Sequence, residues 1–405
     1  MLRITAPWVI PVDGAAISEG AILVDTQGRI AAVGPDIAVP RPPDAEQQHM
    51  ADAAIIPGLV NTHAHLELTG FAGQADAPEF WNWIKQIIAL KAGRTPEEFF
   101  LAAQRGIRQS WAAGVTTICD MGNTGSVIAA LDDLGASGVA HHEVFDLHQG
   151  DARDTMKRFS RELDDLARHA TGRVTIGVSP HAPYTVSGPV YRATAELARA
   201  HGVPIAVHIA EPADETALLR DFTGSFADFL KSRGVAPITA APISPVAWLE
   251  HHDVLSPRTI CAHAIHTDAA DATLLARHGA AIAHCPRSNR HHHHADAPIA
   301  RYADTGLRIG LGTDSEASVA PLDLLAEARI ARTLTGWNAA ETLRALTLGG
   351  AEALNLAAAT GSLSRGKWAD LAAIRVEATQ TPEEAVLAGS PADVLATWLG
   401  GRRVH

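Results

Sequence analysis

The chain has 405 residues, 47% of them hydrophobic, which is enough for one large α/β domain with an appendage. Its formal charge of −12 argues against a general nucleic-acid binder, because phosphate contacts need a surplus of Lys and Arg on the binding face. No apolar run approaches the ~18 residues of a membrane-spanning helix, and the opening MLRITAPWVIPVDG lacks the basic, apolar and small-residue segments of a secretory leader. The expectation is a cytoplasmic protein whose partner is a small molecule, neither nucleic acid nor membrane, with homo-oligomerisation left open. Cys119, Cys261 and Cys285 sit in apolar runs without framework spacing and read as buried free thiols. Histidine is the unusual component, with 21 residues.

Residues 1–52 contain ILVDTQGRIAAVG, two alternating runs joined by a Gly-containing turn. Eight strand-like runs follow: AAIIPGLVNTHAH (53–65), GVTTICD (114–120), GVAHHEVF (138–145), VTIGVSPHA (174–182), PIAVHIAE (204–211), TICAHAIH (259–266), AAIAHCPRS (280–288) and RIGLGTDS (308–315). Between them, EEFFLAAQRGIRQSWAA, GPVYRATAELARAHG and DATLLARHG carry apolar residues three and four apart, as helices do. Strand alternating with helix eight times predicts a (β/α)8 TIM-type barrel, whose chemistry gathers at the C-terminal ends of the strands. GSLSRGKWADLAAIRV (361–376) reads as a further strand pair. The expected organisation is a barrel over 56–357 and a small β-sandwich formed by both chain ends, 1–55 plus 358–405.

His63 and His65, one residue apart on a strand, project to one face. His208 ends the fifth run and Asp314 the eighth, so all four point toward one mouth. Three neutral imidazoles and a carboxylate suit one divalent ion, zinc or alternatively iron(II), with a position left for water. Position at independently marked strand ends weighs against an accidental pair in a histidine-rich chain. Glu211, three residues past His208, can face the water without being a ligand and carry its proton; the competing reading is a first-turn glutamate favoured by the helix dipole. His263 would orient the attacking water or stabilise developing charge, with His266 as a weaker competitor. Asp314 counts among the catalytic groups as well as the ligands.

PGLVNTHAHLELTG, SPHAPYTVS, VHIAE, CAHAIH, AHCPRSNR and GLGTDS, in that order, resemble the amidohydrolase superfamily, within its branch of aminohydrolases acting on adenosine-type, guanine and related heterocycles. The resemblance runs over nearly the whole chain and includes GSLSRGKWADLAAI, similar to the closing motif after the barrel. It implies a mononuclear site on His63, His65, His208 and Asp314, with Glu211 and His263 in the roles above. Ser179, Pro180 and His181 stand where two-metal members carry a carboxylated lysine. HLELTG, FWNWIKQIIALK and CPRSNR look most like the aminofutalosine deaminases, but HHHHADAP replaces a glycine-containing stretch in the loop bordering the pocket.

The resemblance also makes His181 a substrate contact; a loop-closing hydrogen bond is its rival. Glu67 reads equally as a partner for a ring nitrogen or amine and as a helix-start carboxylate. Trp81 and Trp83 offer faces for a flat base, although at least one is expected to pack a helix onto the barrel. Ser288 and Asn289 either orient their loop or touch substrate. His291, His292, His293 and His294 do not converge on one ion and read as a solvated loop with incidental metal affinity, the alternative being that one of them reaches an anionic part of a substrate. Of His141 and His142, at most one faces the mouth. The function expected is hydrolytic deamination of a 6-aminopurine nucleoside, such as aminofutalosine or an adenosine derivative. Its rivals are loss of chloride or a substituted amine from triazine-like or amide substrates, and a metal-binding scaffold without turnover.

Overall fold

The computed structural model describes residues 1–147, 151–239, 241–377 and 381–405. Five strands precede the barrel: β1 (Leu2–Val9), β2 (Ile17–Val24), β3 (Ile30–Pro35), β4 (Glu46–His49) and β5 (Ala53–Pro57). The barrel strands are β6 (Leu59–Ala64), β7 (Val115–Gly122), β8 (Gly138–Val144), β9 (Val174–Pro180), β10 (Ile205–Ile209), β11 (Thr259–His263), β12 (Ala281–His284) and β13 (Arg308–Leu311). The chain then returns as β14 (Leu371–Arg375), β15 (Val394–Leu399) and β16 (Arg402–Arg403).

β6 to β13 pair in sequence order as one parallel sheet. The sheet closes on itself where Ala64 bridges Asp314, the amides of Thr313 and Asp314 both donating to the His63 carbonyl at 3.0 Å. The closing seam therefore runs through two of the expected ligands. Most barrel strands are buried along their whole length, since the interior is packed with side chains and the outside is covered by helices. This explains why their sequences are continuous Val, Ile and Ala runs rather than alternating ones. The helix Pro96–Ala112 shows how the cover is built. Thr95 and Glu98 cap it reciprocally, and Phe99, Ala102, Ala103, Ile107 and Trp111 face the barrel. Gly114, at φ 80°, then turns the chain into β7.

Both chain ends meet in a second sheet of order β16-β15-β14-β5-β1-β2-β3, with β4 on β1. Ile4, Ile22, Ile30, Ile55, Leu371 and Trp398 form its core. The run 53–65, read in the sequence as one strand, is divided: β5 belongs to the end sheet and β6 to the barrel, with Gly58 between them. The Gly58 amide donates to Asp370 and the Leu59 amide to Gly114, both at 2.9 Å. A Cβ at 58 would lie 2.2 Å from the Thr116 side chain, so the crossing requires glycine. The chain thus changes sheets slightly later than the expected border at 55/56. All three cysteines are buried and unpaired. Among the described residues no helix is long and apolar enough to cross a membrane.

Candidate metal centre and active site

His63 is fully buried on β6, and neither ring nitrogen has a hydrogen-bond partner. Its Nε2 lies 3.7 Å from Asp314 Oδ1, and the Nε2 of His65 lies 3.6 Å from the same oxygen. His65 donates from Nδ1 to the Met121 carbonyl at 2.7 Å, which leaves its Nε2 as a bare lone pair. That lone pair faces His208 Nε2 at 3.1 Å. The ligand atoms of His63, His65 and Asp314, and those of His63, His208 and His263, lie within 4.8 Å of one another.

Burial pushes the pKa of His63 and His208 well below the usual histidine value, so both are neutral imidazoles. Asp314 behaves oppositely. Burial alone would raise it, but His63, His65, His263 and the Ser288 hydroxyl hold its carboxyl well below the ordinary range. Ser288 and Ser318 donate to its Oδ2 at 2.5 and 3.2 Å, and the Ser315 amide donates to Oδ1 at 2.7 Å. Buried lone pairs converging beside a fixed anion are what a divalent cation satisfies, and this donor set fits zinc or iron(II).

Positive φ angles bend the strand ends into the site: 52° at Ala210, 66° at His263, 46° at Ala264 and 58° at Asp314. The bend at 210 is held by Glu215, whose carboxylate accepts from the amides of Ala210 at 2.7 Å and Glu211 at 3.3 Å. Glu211 Oε1 lies 3.7 Å from His263 Nε2. His263 donates from Nδ1 to Asn289 Oδ1 at 3.0 Å, so Nε2 faces the carboxylate unprotonated. Burial, and then the Asp314 charge, raise the Glu211 carboxyl well above its usual value. A dication at the neighbouring ligands opposes both effects.

Two supporting carboxylates escaped the sequence reading. Glu215 is one; Glu143 is the other, buried on β8 with Oε1 3.8 Å from His208 Nδ1 and its carboxyl pushed up to about 8 by burial. The only sequence cue to Glu215 is its place in the first turn after HIAE, which equally describes a dipole-capping glutamate.

The expected substrate contacts divide. His181 reaches the mouth, its ring 4.7 Å from that of His208, and its Nδ1 is bonded to Thr185 Oγ1 at 2.7 Å. Both Glu67 oxygens are engaged inside the protein: Lys91 binds Oε1, and the Thr124 hydroxyl and amide bind Oε2. Asn289 is buried and holds His263, as described. Trp81 packs on Phe226 and Phe229, whereas Trp83 stands against His292 with rings 4.4 Å apart. His266 is partly buried and joins none of the ligand groups among the described residues. His141 packs on Cys119, and His142 faces outward to Glu162. The solvated-loop reading of the histidine run is corrected for two members. His291 and His293 are exposed, but His292 is buried and the His294 side chain is only 8% exposed. A positive φ of 57° at His293 turns the loop inward.

Fold and site together define a barrel enzyme of hydrolytic type. The chain belongs to the amidohydrolase family, whose model matches residues 54–404. A 5-methylthioadenosine/S-adenosylhomocysteine deaminase of Symbiobacterium thermophilum is 29% identical over 100% of this chain and 93% of its own. One from Natronomonas pharaonis is 31% identical over 93% of this chain and 84% of its own. The structure of an adenosine deaminase from Xanthomonas campestris with bound zinc superimposes with a TM-score of 0.86 at 26% identity, covering 99% of this chain and 92% of its own.

Proposed function

We propose that this chain hydrolytically deaminates a 6-aminopurine nucleoside of the adenosine type, with one divalent ion, zinc or iron(II), held by His63, His65, His208 and Asp314. The observation that carries the reading is Glu211, buried beside the ligands and outside their set, with Oε1 3.7 Å from His263 Nε2. A structural metal site needs no such carboxylate. The deaminase names of the two relatives support the reaction class.

When bound, the ion supplies Lewis-acid activation of water. Glu211 takes one proton from that water and delivers it to the ring nitrogen beside the amine-bearing carbon, as the C–O bond forms and the C=N π bond opens. His263, held by Asn289, orients the attacking oxygen. Asp314 takes the second proton and passes it to the amine; the C–N bond breaks, ammonia leaves and the ring carbon becomes a carbonyl. His181, at the mouth beside His208, is the proposed substrate contact; Asn289 positions His263, and Glu67 is held by Lys91 and Thr124 inside the protein.

The test is ammonia release by metal-loaded protein from adenosine, methylthioadenosine, S-adenosylhomocysteine, aminofutalosine and guanine. One ammonia per oxo product from a 6-aminopurine nucleoside is expected. Silence across the panel defeats the proposal.

A further inference from the structure

We infer that Glu143 is a positioning residue for the metal: its carboxyl takes the Nδ1 proton of His208, fixing that imidazole with Nε2 toward the other ligands and so setting how tightly the ion is held. The inference rests on the ligand set of the proposed deaminase site and adds a residue outside that set.

An imidazole that binds a cation through Nε2 keeps its single proton on Nδ1, and a buried Nδ1 proton needs an acceptor. Two histidines of the site have one. His65 Nδ1 donates to the Met121 carbonyl at 2.7 Å, and His263 Nδ1 donates to Asn289 Oδ1 at 3.0 Å. His208 turns its Nε2 to within 3.1 Å of His65 Nε2, while its Nδ1 is buried without a hydrogen-bond partner. Facing that nitrogen is Glu143 Oε1, 3.8 Å away, buried and equally without a partner. Buried polar atoms left unpaired are costly, and here each supplies what the other lacks. A small rotation of the glutamate side chain takes 3.8 Å to the ~2.8 Å of a charge-assisted bond.

The neighbouring rings cannot do this work. His65 stacks on His208 with centroids 5.1 Å apart, and His181 lies against it at 4.7 Å. Flat faces fix the plane of a ring. A half-turn about the Cβ–Cγ bond keeps that plane but exchanges each nitrogen with a carbon, so stacking leaves open which atom faces the ion. A partner in the plane of the ring decides it. Glu143 reaches His208 because β8 and β10 are alternate strands of the barrel with β9 between them, and alternate strands supply the side chains of one interior layer. A carboxyl keeps an accepting oxygen in either protonation state, so the contact does not depend on how Glu143 titrates.

Zinc affinity measured without substrate, by competition with a chromogenic chelator, tests this on wild type, Glu143→Leu and Glu143→Gln. The wild type should bind one zinc per chain. Glu143→Leu cannot accept a proton and should bind zinc about 10- to 100-fold more weakly. Glu143→Gln keeps a carbonyl oxygen in the same place and should stay within about threefold of wild type. Melting temperatures separate positioning from packing. Leucine removes an unpaired buried polar group, so metal-free Glu143→Leu should melt at or above metal-free wild type, while its gain on adding zinc should be smaller. Unchanged zinc affinity in Glu143→Leu, an equal loss in both variants, or a lower melting temperature with an undiminished zinc gain overturns the proposal. So does a wild type that binds no zinc, or one that binds a second zinc which Glu143→Leu loses, since Glu143 would then be a ligand. If the affinities follow the expected order but no 6-amino heterocycle releases ammonia, the deaminase reading fails and the role of Glu143 stands.

Discussion

Asn289 Oδ1 takes the Nδ1 proton of His263 at 3.0 Å and so decides which nitrogen of that histidine faces Glu211. Asn289→Ala frees the ring to rotate or change tautomer. A fall in kcat of about 10- to 100-fold is expected, the usual cost of losing an orienting partner. Metal content should be unchanged, as His263 lies outside the proposed ligand set. Steady-state ammonia release with elemental analysis checks both; an unaltered kcat would show that packing alone orients His263.

Glu211→Gln removes the proposed proton carrier while keeping size and shape. Turnover should drop by about 10²- to 10⁴-fold, with the metal still bound near one per chain. Loss of the metal would make Glu211 a ligand and undo the division of roles.

Without an ion His63 has two unpartnered buried ring nitrogens, and His65 Nε2 and His208 Nε2, two of the proposed ligand atoms, stand 3.1 Å apart with only each other to bond. A chelator should therefore abolish activity and lower the melting temperature, and zinc or iron(II) should restore both. At a free-metal concentration of 100 times Kd, the stabilisation is about 2.7 kcal/mol. A melting temperature indifferent to chelation would argue against this ligand set.

Lys91 is bonded to the buried carboxylate of Glu67. Lys91→Met leaves that charge uncompensated and should cost about 3 kcal/mol, the low end for a broken buried pair because Lys91 is 23% exposed. Burial raises the Glu67 carboxyl, but Lys91 and Thr124 outweigh it, and the net pKa lies below the ordinary 4.5. A lowered carboxylate contributes fully above its unfolded value and loses that contribution as pH falls through its folded value. The stability gap between wild type and variant should be widest at neutral pH and narrow as pH falls, because the variant's uncompensated Glu67 takes up its proton before the wild-type carboxylate does. Urea melts across that range test the sign, and a gap that widens in acid would contradict it.

The eight barrel strands could be recognised because both faces are buried, giving continuous apolar runs, and because the strand ends turn polar where the candidate site lies. His63, His65, His208, Glu211, His263 and Asp314 carried a local signal of this kind. Gly58 did not, since AAIIPGLVNTHAH is apolar on both sides of the crossing between sheets. Four consecutive histidines offer no contrast by which inward and outward residues could be told apart; the turn at His293 separates them only in three dimensions. Glu67 was ambiguous for a different reason: its partner lies 24 residues away on another element. Pairing at that distance depends on tertiary structure.

The clasp at β5 has a consequence for how the molecule comes together. β5 lies between β1, from the start of the chain, and β14, from its end, with Ala54 paired to Ile374. Topologically the barrel is an insertion into the end sheet, leaving it at Gly58 and returning before β14. During synthesis one edge of β5 stays open until the last strands emerge, an exposed edge of the kind that invites mispairing. Contacts so distant in sequence also close slowly. Gly58 stands five residues before His63 on continuous chain. Peeling β14 from β5 therefore loosens the strand that carries His63, so that a lesion in the C-terminal strands reaches the candidate site without touching it.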